Sequence, residues 1–244
     1  MIKIELKRGR KKTDMIDGKT VTAVILVAGN STRYGQNRNK NFELINKKTV
    51  MSYSLKAFHE NAYIDNLIIG AKQEEIPKIK ELIQKEKISK PIQIAIGGKS
   101  RQETVYHCIQ KIEADMVIIH DGARPAIKQD YINQCIESMK EYKGATVGVL
   151  SKDTIKITDE NNIVIQTTKR SNTWIVQTPQ CFERKILLEM HEKYKQEEVT
   201  DDCMLLEKQN EKIKMIQGDY TNIKITTFED IEVMREFMNK LLAK

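Results

Sequence analysis

The stretch "VTAVILVAGNSTRYG", residues 21–35, decides the reading of the fold. A run rich in Val and Ile reads as a buried strand, and it ends in a turn of small residues, Ala28, Gly29 and Ser31, with Arg33 inside it. A dinucleotide fingerprint needs G-x-G-x-x-G, but Gly29 is followed by Asn30 and Ser31 and the next glycine is Gly35. A P-loop needs Gly-Lys-Ser or Gly-Lys-Thr at its end, and Gly35 is followed by Gln36 and Asn37. Both are excluded by spacing, and a nicotinamide-dependent oxidoreductase goes with them. What remains is a turn whose backbone N–H groups can approach an anion. Arg33 offers a planar fork and Lys40, seven residues on, a compact mobile charge, a pair suited to a polyphosphate.

Outward from this stretch, short apolar runs alternate with amphipathic ones. Strands are predicted at 21–28, 64–71, 91–96, 115–120 and 145–150. Between them lie helical patterns such as 102–113, where Val105, Cys108, Ile109 and Ile112 recur at helical spacing. The chain closes on a helix with Thr226 as its N-cap, Glu229 three residues later, and Ile231, Met234, Met238 and Leu241 on one face. The fold class is therefore α/β, a mostly parallel sheet with helices on both faces. Between 152 and 175 the rhythm breaks: two alternating segments flank "DENN", which reads as an inserted β-hairpin arm. Such an arm needs a cover, and another subunit is one candidate.

Length and composition set the frame. The 244 residues, 40% hydrophobic, suit one large α/β domain over 21–244 preceded by a basic extension over 1–20, which is expected to be a solvated tail. That extension carries seven Lys/Arg against Glu5, Asp14 and Asp17, so four of the seven excess positive charges lie there. The remainder is interleaved with acidic residues, which argues against a nucleic-acid partner. No apolar run reaches the ~20 residues of a membrane span and no signal-peptide core is present, so a soluble cytoplasmic protein is expected. Cys108, Cys135, Cys181 and Cys203 are widely spaced and read as reduced, packed thiols.

Further motifs fall at strand ends, where sheets of this type bind ligands. "GGKSRQETV" (97–105) is a second glycine turn opening a helix, with Arg101 and Thr104 near its start. "HDGARP" (120–125) puts Asp121 and Arg124 just past a strand; "QTPQCF" (177–182) adds Thr178 and "NIKITT" (222–227) adds Lys224. Alternation in the last sends Ile223 and Ile225 to one face and Lys224 to the other. His120 has no Ser or Cys nucleophile arranged with it, and supports Asp121 instead.

These motifs, with the first turn, "DTIK", Arg170 and Trp174 before "QTPQ", and "TDD" (200–202), occur in an order that resembles the 2-C-methyl-D-erythritol 4-phosphate cytidylyltransferase family. The sister family, the ribitol-5-phosphate cytidylyltransferases, shares most of them; "HDGARP" and Trp174 look more like the methylerythritol branch. The resemblance implies a Rossmann-like domain, CTP and a polyol phosphate as substrates, Mg²⁺ carried mainly by the CTP phosphates, and a homodimer through the arm. It implies catalytic roles for Arg33, Lys40 and Lys224 on the triphosphate, and CTP binding by Ala28, Gly29, Asn30, Ser31, Gly98, Thr104 and Asp121. Acceptor binding is implied for Asp121, Arg124, Thr154, Arg170, Thr178 and Thr200. No acidic pair stands out as metal ligands.

The chain also departs from the family pattern. Asn39 and Asn41 flank Lys40 where the family usually has Pro and Gln, and losing the proline frees the backbone there. Lys99 adds a positive charge near the expected base site. A non-catalytic nucleotide-binding module is the reading from a different class.

Overall fold

A computed structural model describes residues 3–4, 16, 18–29, 34 and 39–242. Arg33, Asn30 and Ser31 lie outside the described residues, as does most of the basic extension.

The centre is an eight-stranded sheet in the order β1-β6-β5-β2-β7-β11-β8-β12. Its strands are β1 (Lys3–Ile4), β2 (Val21–Leu26), β5 (Asn66–Ala71), β6 (Ile92–Ile96), β7 (Met116–Asp121), β8 (Gly144–Leu150), β11 (Trp174–Glu183) and β12 (Ile213–Gln217). Two small ribbons complete the strands, β3 (Leu44–Ile45) with β4 (Lys48–Thr49) and β9 (Lys156–Thr158) with β10 (Val164–Thr167). The five expected strands are present within two residues of their expected bounds. The pairs β2/β5, β2/β7, β5/β6 and β8/β12 are parallel. The eight strands include two antiparallel ones, β1 on the edge and β11, which runs between β7 and β8.

The helices are α1 (Val50–Glu60), α2 (Ile76–Lys85), α3 (Arg101–Ile109), α4 (Gln129–Ser138), α5 (Arg184–Lys193), α6 (Cys203–Glu207) and α7 (Glu229–Leu242). Strand pleating sorts them into two layers. Ala23, Ile25, Leu67, Ile69 and Ile118 face a core shared with Leu55 and Phe58 of α1, Ile79 of α2 and Ile132 of α4. The intervening Val24, Ile68, Val117 and Ile119 face Val105 of α3, Leu187 of α5 and Leu206 of α6. Each fully buried Val, Leu, Ile or Phe side chain among these contributes roughly 1.5–3 kcal/mol. The four cysteines are buried and free, and no helix among the described residues is long and apolar enough to cross a membrane.

The closing helix starts two residues later than the sequence suggests. Asp230 accepts from the backbone N–H groups of Thr226 and Thr227 and from the Thr226 hydroxyl, so Asp230, one residue beyond the expected Glu229, reaches back to the helix start, and the Thr226 hydroxyl donates to it. Ile231, Met234 and Met238 bury the expected face in a third cluster with Ile45, Val50 and Ile225.

The arm folds as expected around Asp159–Asn162. Asp159 Oδ1 accepts from the N–H groups of Asn161 and Ile163, and Asn162 takes a left-handed φ of 64°. Ile157, Ile163, Val164 and Ile165 of the arm are exposed large apolar residues.

Candidate active site

The site lies at the carboxyl ends of β2 and β7, where two loops close over the sheet edge. One loop continues β2 through Ala28 and Gly29; the other, Gly97 to Ser100, leads from β6 into α3. Close approach fixes glycine at 97: a Cβ there would lie 2.4 Å from the Ala28 Cβ. The second loop is held by the first turn of α3. Ser100 accepts from the Glu103 N–H at 3.1 Å, and Glu103 Oε2 accepts from the Lys99 N–H at 2.6 Å. Thr104 Oγ1 donates to the Ser100 carbonyl and accepts from the Gly98 N–H, so it shapes the loop that it lines.

Together these loops wall a cleft of about 330 Å³ whose lining includes Ala28, Gly29, Lys40, Gly98, Thr104 and Asp121. A second, more open cleft of about 470 Å³ is lined by Arg124, Thr178, Thr200, Asp201 and Gln180 among others. The two share Arg101, Asp121 and Lys224, so they are two lobes meeting at one charged junction. The lining of the first lobe holds four cations, Lys40, Lys99, Arg101 and Lys224, and one carboxylate, Asp121. That excess suits a polyanion.

Asp121 ends β7 with its carboxylate among three cations. Lys224 Nζ lies 2.9 Å from Oδ2, Arg101 Nε 3.4 Å from Oδ1, and Arg124 Nε 3.6 Å from Oδ2. Burial alone would raise its pKa, but Lys224, Arg101 and Arg124 outweigh it and hold the carboxyl well below the usual range. Arg101 also pairs with Asp202 at 2.5 Å, and Asp202 in turn lies 3.0 Å from His191 Nε2. Burial opposes the charge on Arg101, but Asp202 and Asp121 carry its pKa above the ordinary value.

Thr178 reaches Asp121 through strand register. Gln180 pairs with Ile119 across β11 and β7, which sets Thr178 beside Asp121. The Asp121 N–H donates to Thr178 Oγ1 at 3.1 Å, and Thr178 Oγ1 lies 2.9 Å from His120 Nδ1. His120 Nε2 lies 3.1 Å from the Arg124 carbonyl, which can only accept. The proton therefore sits on Nε2, and Nδ1 accepts from the Thr178 hydroxyl. Burial pulls the His120 pKa down to about 4, keeping it neutral in this role. As read from sequence, it supports Asp121; the structure shows that it does so through Thr178 and the Arg124 carbonyl.

"NIKITT" is not a strand, yet its alternation holds. Ile225 is buried, its N–H bonded to the Ala123 carbonyl, and Ile223 packs on the same cluster, while Lys224 turns to Asp121. Asn222, fully buried, donates to Gln177 Oε1 and the Thr178 carbonyl, and its own carbonyl accepts from Arg124 Nη1.

Of the expected site residues, Ala28, Gly29, Lys40, Gly98, Thr104, Asp121 and Lys224 line the first lobe, and Arg124, Thr178 and Thr200 the second. Thr154 and Arg170 line neither; they meet each other on the arm, Arg170 Nη2 donating to Thr154 Oγ1 at 2.9 Å.

The chain matches the family described as IspD, 2-C-methyl-D-erythritol 4-phosphate cytidylyltransferase, over residues 21–240. It belongs to the IspD family of cytidylyltransferases. It is 42% identical over 225 residues to the 2-C-methyl-D-erythritol 4-phosphate cytidylyltransferase of Caldanaerobacter subterraneus subsp. tengcongensis, covering 90% of this chain and 99% of that one. It is 38% identical over 224 residues to the enzyme of the same name from Clostridium botulinum strain 657, covering 90% and 98%. The crystal structure of the 4-diphosphocytidyl-2C-methyl-D-erythritol synthase of Anaerococcus prevotii superposes with a TM-score of 0.82 at 29% identity, covering 91% of this chain and all of that one.

Within this IspD chain, Arg101 stands out in the sequence only as part of a helix start, and Asp201, Asp202 and Asn222 carry no individual role there. The "TDD" motif carried the signal for two of them. Its two aspartates do separate work: Asp201 accepts from Gln180 Nε2 at 2.7 Å and from the Met204 N–H, while Asp202 holds Arg101 and His191.

Proposed function

We propose that the chain transfers the CMP group of CTP to 2-C-methyl-D-erythritol 4-phosphate, forming 4-diphosphocytidyl-2-C-methyl-D-erythritol and pyrophosphate in isoprenoid precursor biosynthesis. The observation that carries this reading is the pair of lobes joined at Asp121, Arg101 and Lys224. Two substrates that must react with each other need adjoining sites with their reacting ends at a common boundary.

CTP occupies the first lobe, its base against the backbone of Ala28, Gly29 and Gly98 and its triphosphate along Lys40 and Lys224, with Arg33 assigned to the same phosphates. The acceptor occupies the second lobe, its hydroxyls toward Asp121 and its phosphate toward Arg124 and Thr200. The second pKa of a phosphate monoester is about 6, so the acceptor is largely a dianion at neutral pH and attacks the α-phosphorus without a general base. Repulsion between the two anions is the obstacle, and the cations at the junction reduce it. Asp121, held ionised, pairs with Lys224, Arg101 and Arg124 and holds them at the boundary.

Mg²⁺ fits as a passenger of the nucleotide. Among the described residues no group of three or more His, Cys, Asp or Glu side chains could hold a metal, and the first lobe's carboxylate, Asp121, is already engaged by cations. Held by phosphate oxygens, the ion would neutralise part of the triphosphate charge.

The arm supports a homodimer. Its exposed Ile163, Val164 and Ile165 suit a second copy as cover. Arg170 and Thr154 then serve the partner's acceptor site. Both substrates are water-soluble anions, which agrees with a cytoplasmic enzyme.

Pyrophosphate release from CTP and Mg²⁺ with each polyol phosphate tests the proposal. Turnover with 2-C-methyl-D-erythritol 4-phosphate supports it; turnover only with ribitol 5-phosphate overturns the acceptor, and CTP binding without turnover on either overturns the enzyme.

A further inference from the structure

Lys40 sits in a single helical turn, Lys40–Phe42, between two asparagines, and both asparagines are tied down. Asn39 Oδ1 accepts from the Asn41 N–H at 2.9 Å and from Asn41 Nδ2 at 3.0 Å. Asn41 is buried, and its amide also donates to the Val27 carbonyl at 3.2 Å, at the end of β2. The Asn39 amide donates to Glu75 Oε1, in the turn leading into α2. Lys78 of α2 stands 4.1 Å over the Phe42 ring, on the other side of the lysine. The segment carrying Lys40 is therefore fastened to the strand that opens the cleft and to the neighbouring β5–α2 connection. The rigidity that a proline ring would give comes here from side-chain hydrogen bonds.

We propose that Asn39, Asn41 and Glu75 form a clamp that positions Lys40 on the CTP phosphates, with Asn39 as the hub and Glu75 as its anchor on the adjacent connection. This rests on the reading of Lys40 as a charge-stabilising group. Asn39 and Glu75 do not line either lobe, so they act through the lysine rather than on the substrate. Asn41 does line the first lobe, and it is the less clean target for a test.

The donor on residue 39 and the acceptor on residue 75 can be exchanged. In Asn39→Asp the acceptor for Asn41 is kept, but the donor to Glu75 and to the Val27 carbonyl is lost and two carboxylates face each other. Adding Glu75→Gln restores a bond with donor and acceptor reversed. Steady-state kinetics of pyrophosphate release, with thermal melting as a control on folding, should show Asn39→Asp lowering kcat roughly 10- to 100-fold, the scale of a small misplacement of a reacting group. KM for CTP should change by less than about threefold, and the double variant should recover to within about fivefold of the original kcat. In a Lys40→Ala background, Asn39→Asp should add nothing. The clamp is overturned if Asn39→Asp stays within about twofold of the original kcat, or if it lowers the Lys40→Ala enzyme by the same factor as the intact one. Near-normal turnover in Lys40→Ala alone would instead overturn the role of the lysine, a different failure read in a different variant.

Discussion

Lys224 Nζ and Asp121 Oδ2 are 2.9 Å apart at the boundary shared by both lobes of the cleft. Lys224 is partly exposed there whereas Asp121 is buried, so the lysine can turn to a phosphate while the carboxylate stays paired with Arg101 and Arg124. Lys224→Ala should lower kcat by at least ~100-fold with little change in melting temperature, the expected loss for a charge-stabilising group. Parallel kinetics and thermal melting would check it; a melting loss that accounts for the lost activity would show a structural role instead.

Asp121→Asn should behave differently. It leaves Arg101, Arg124 and Lys224 crowded around a neutral amide, and breaking a buried charge pair costs about 3–5 kcal/mol. Both activity and chemical-denaturation stability should fall, and the stability loss distinguishes it from Lys224→Ala.

The buried His120 makes a prediction about pH. Its pKa is lowered to about 4 by burial, whereas the unfolded chain takes up the proton at about 6.5. The unfolded state therefore binds more protons between those values, and stability falls as pH drops from about 6.5 to about 4, by on the order of 3 kcal/mol from this residue. His59, lowered chiefly by its own burial, adds to the same slope. The paired carboxylates Asp121 and Asp202, both depressed, lose their contribution only at lower pH. Denaturation midpoints across this range should be flatter in His120→Asn, which is less stable at pH 7 but has no ring to protonate. An unchanged slope in that variant would remove His120 as its source.

The arm supplies a prediction about assembly. Ile165→Asp places a charge at one of the arm's exposed apolar positions. If the arm makes the proposed dimer, sedimentation should show a dimer for the parent chain and a monomer for this variant, with acceptor KM raised by loss of the proposed Arg170 and Thr154 contribution to a second pocket. Mixing Arg170→Ala with a first-lobe variant such as Lys224→Ala should restore activity in hybrid dimers, since one site then has both intact contributions.

Most of the sheet was legible from residues 21–150, because each parallel strand buried on both faces reads as a continuous Val/Ile run. β11 was not, because Gln177, Thr178, Pro179 and Gln180 interrupt its apolar run, and because an antiparallel strand inserted between β7 and β8 needs the long-range partner to be recognised. The site shows the same division. Asp121, Lys40 and Lys224 stand in short motifs that can be read from local spacing, Asp121 at the end of β7. Arg101 and Asp202 are 101 residues apart in sequence, and only packing of α3 near the start of α6 brings them into an ion pair. Asn39 stands where a rigid proline is expected and Asn41 where a glutamine is; their compensating bonds to Glu75 and Val27 depend on neighbours that no local spacing reveals.

The most direct test follows the transferred atoms. Acceptor phosphate labelled with ¹⁸O, incubated with CTP, Mg²⁺ and the enzyme, should give a product whose diphosphate bridge carries the label, read as isotope shifts on both phosphorus resonances, and pyrophosphate that carries none. Label in the pyrophosphate, or no diphosphate product from 2-C-methyl-D-erythritol 4-phosphate, would contradict a cleft in which the acceptor in one lobe attacks the α-phosphorus of CTP in the other.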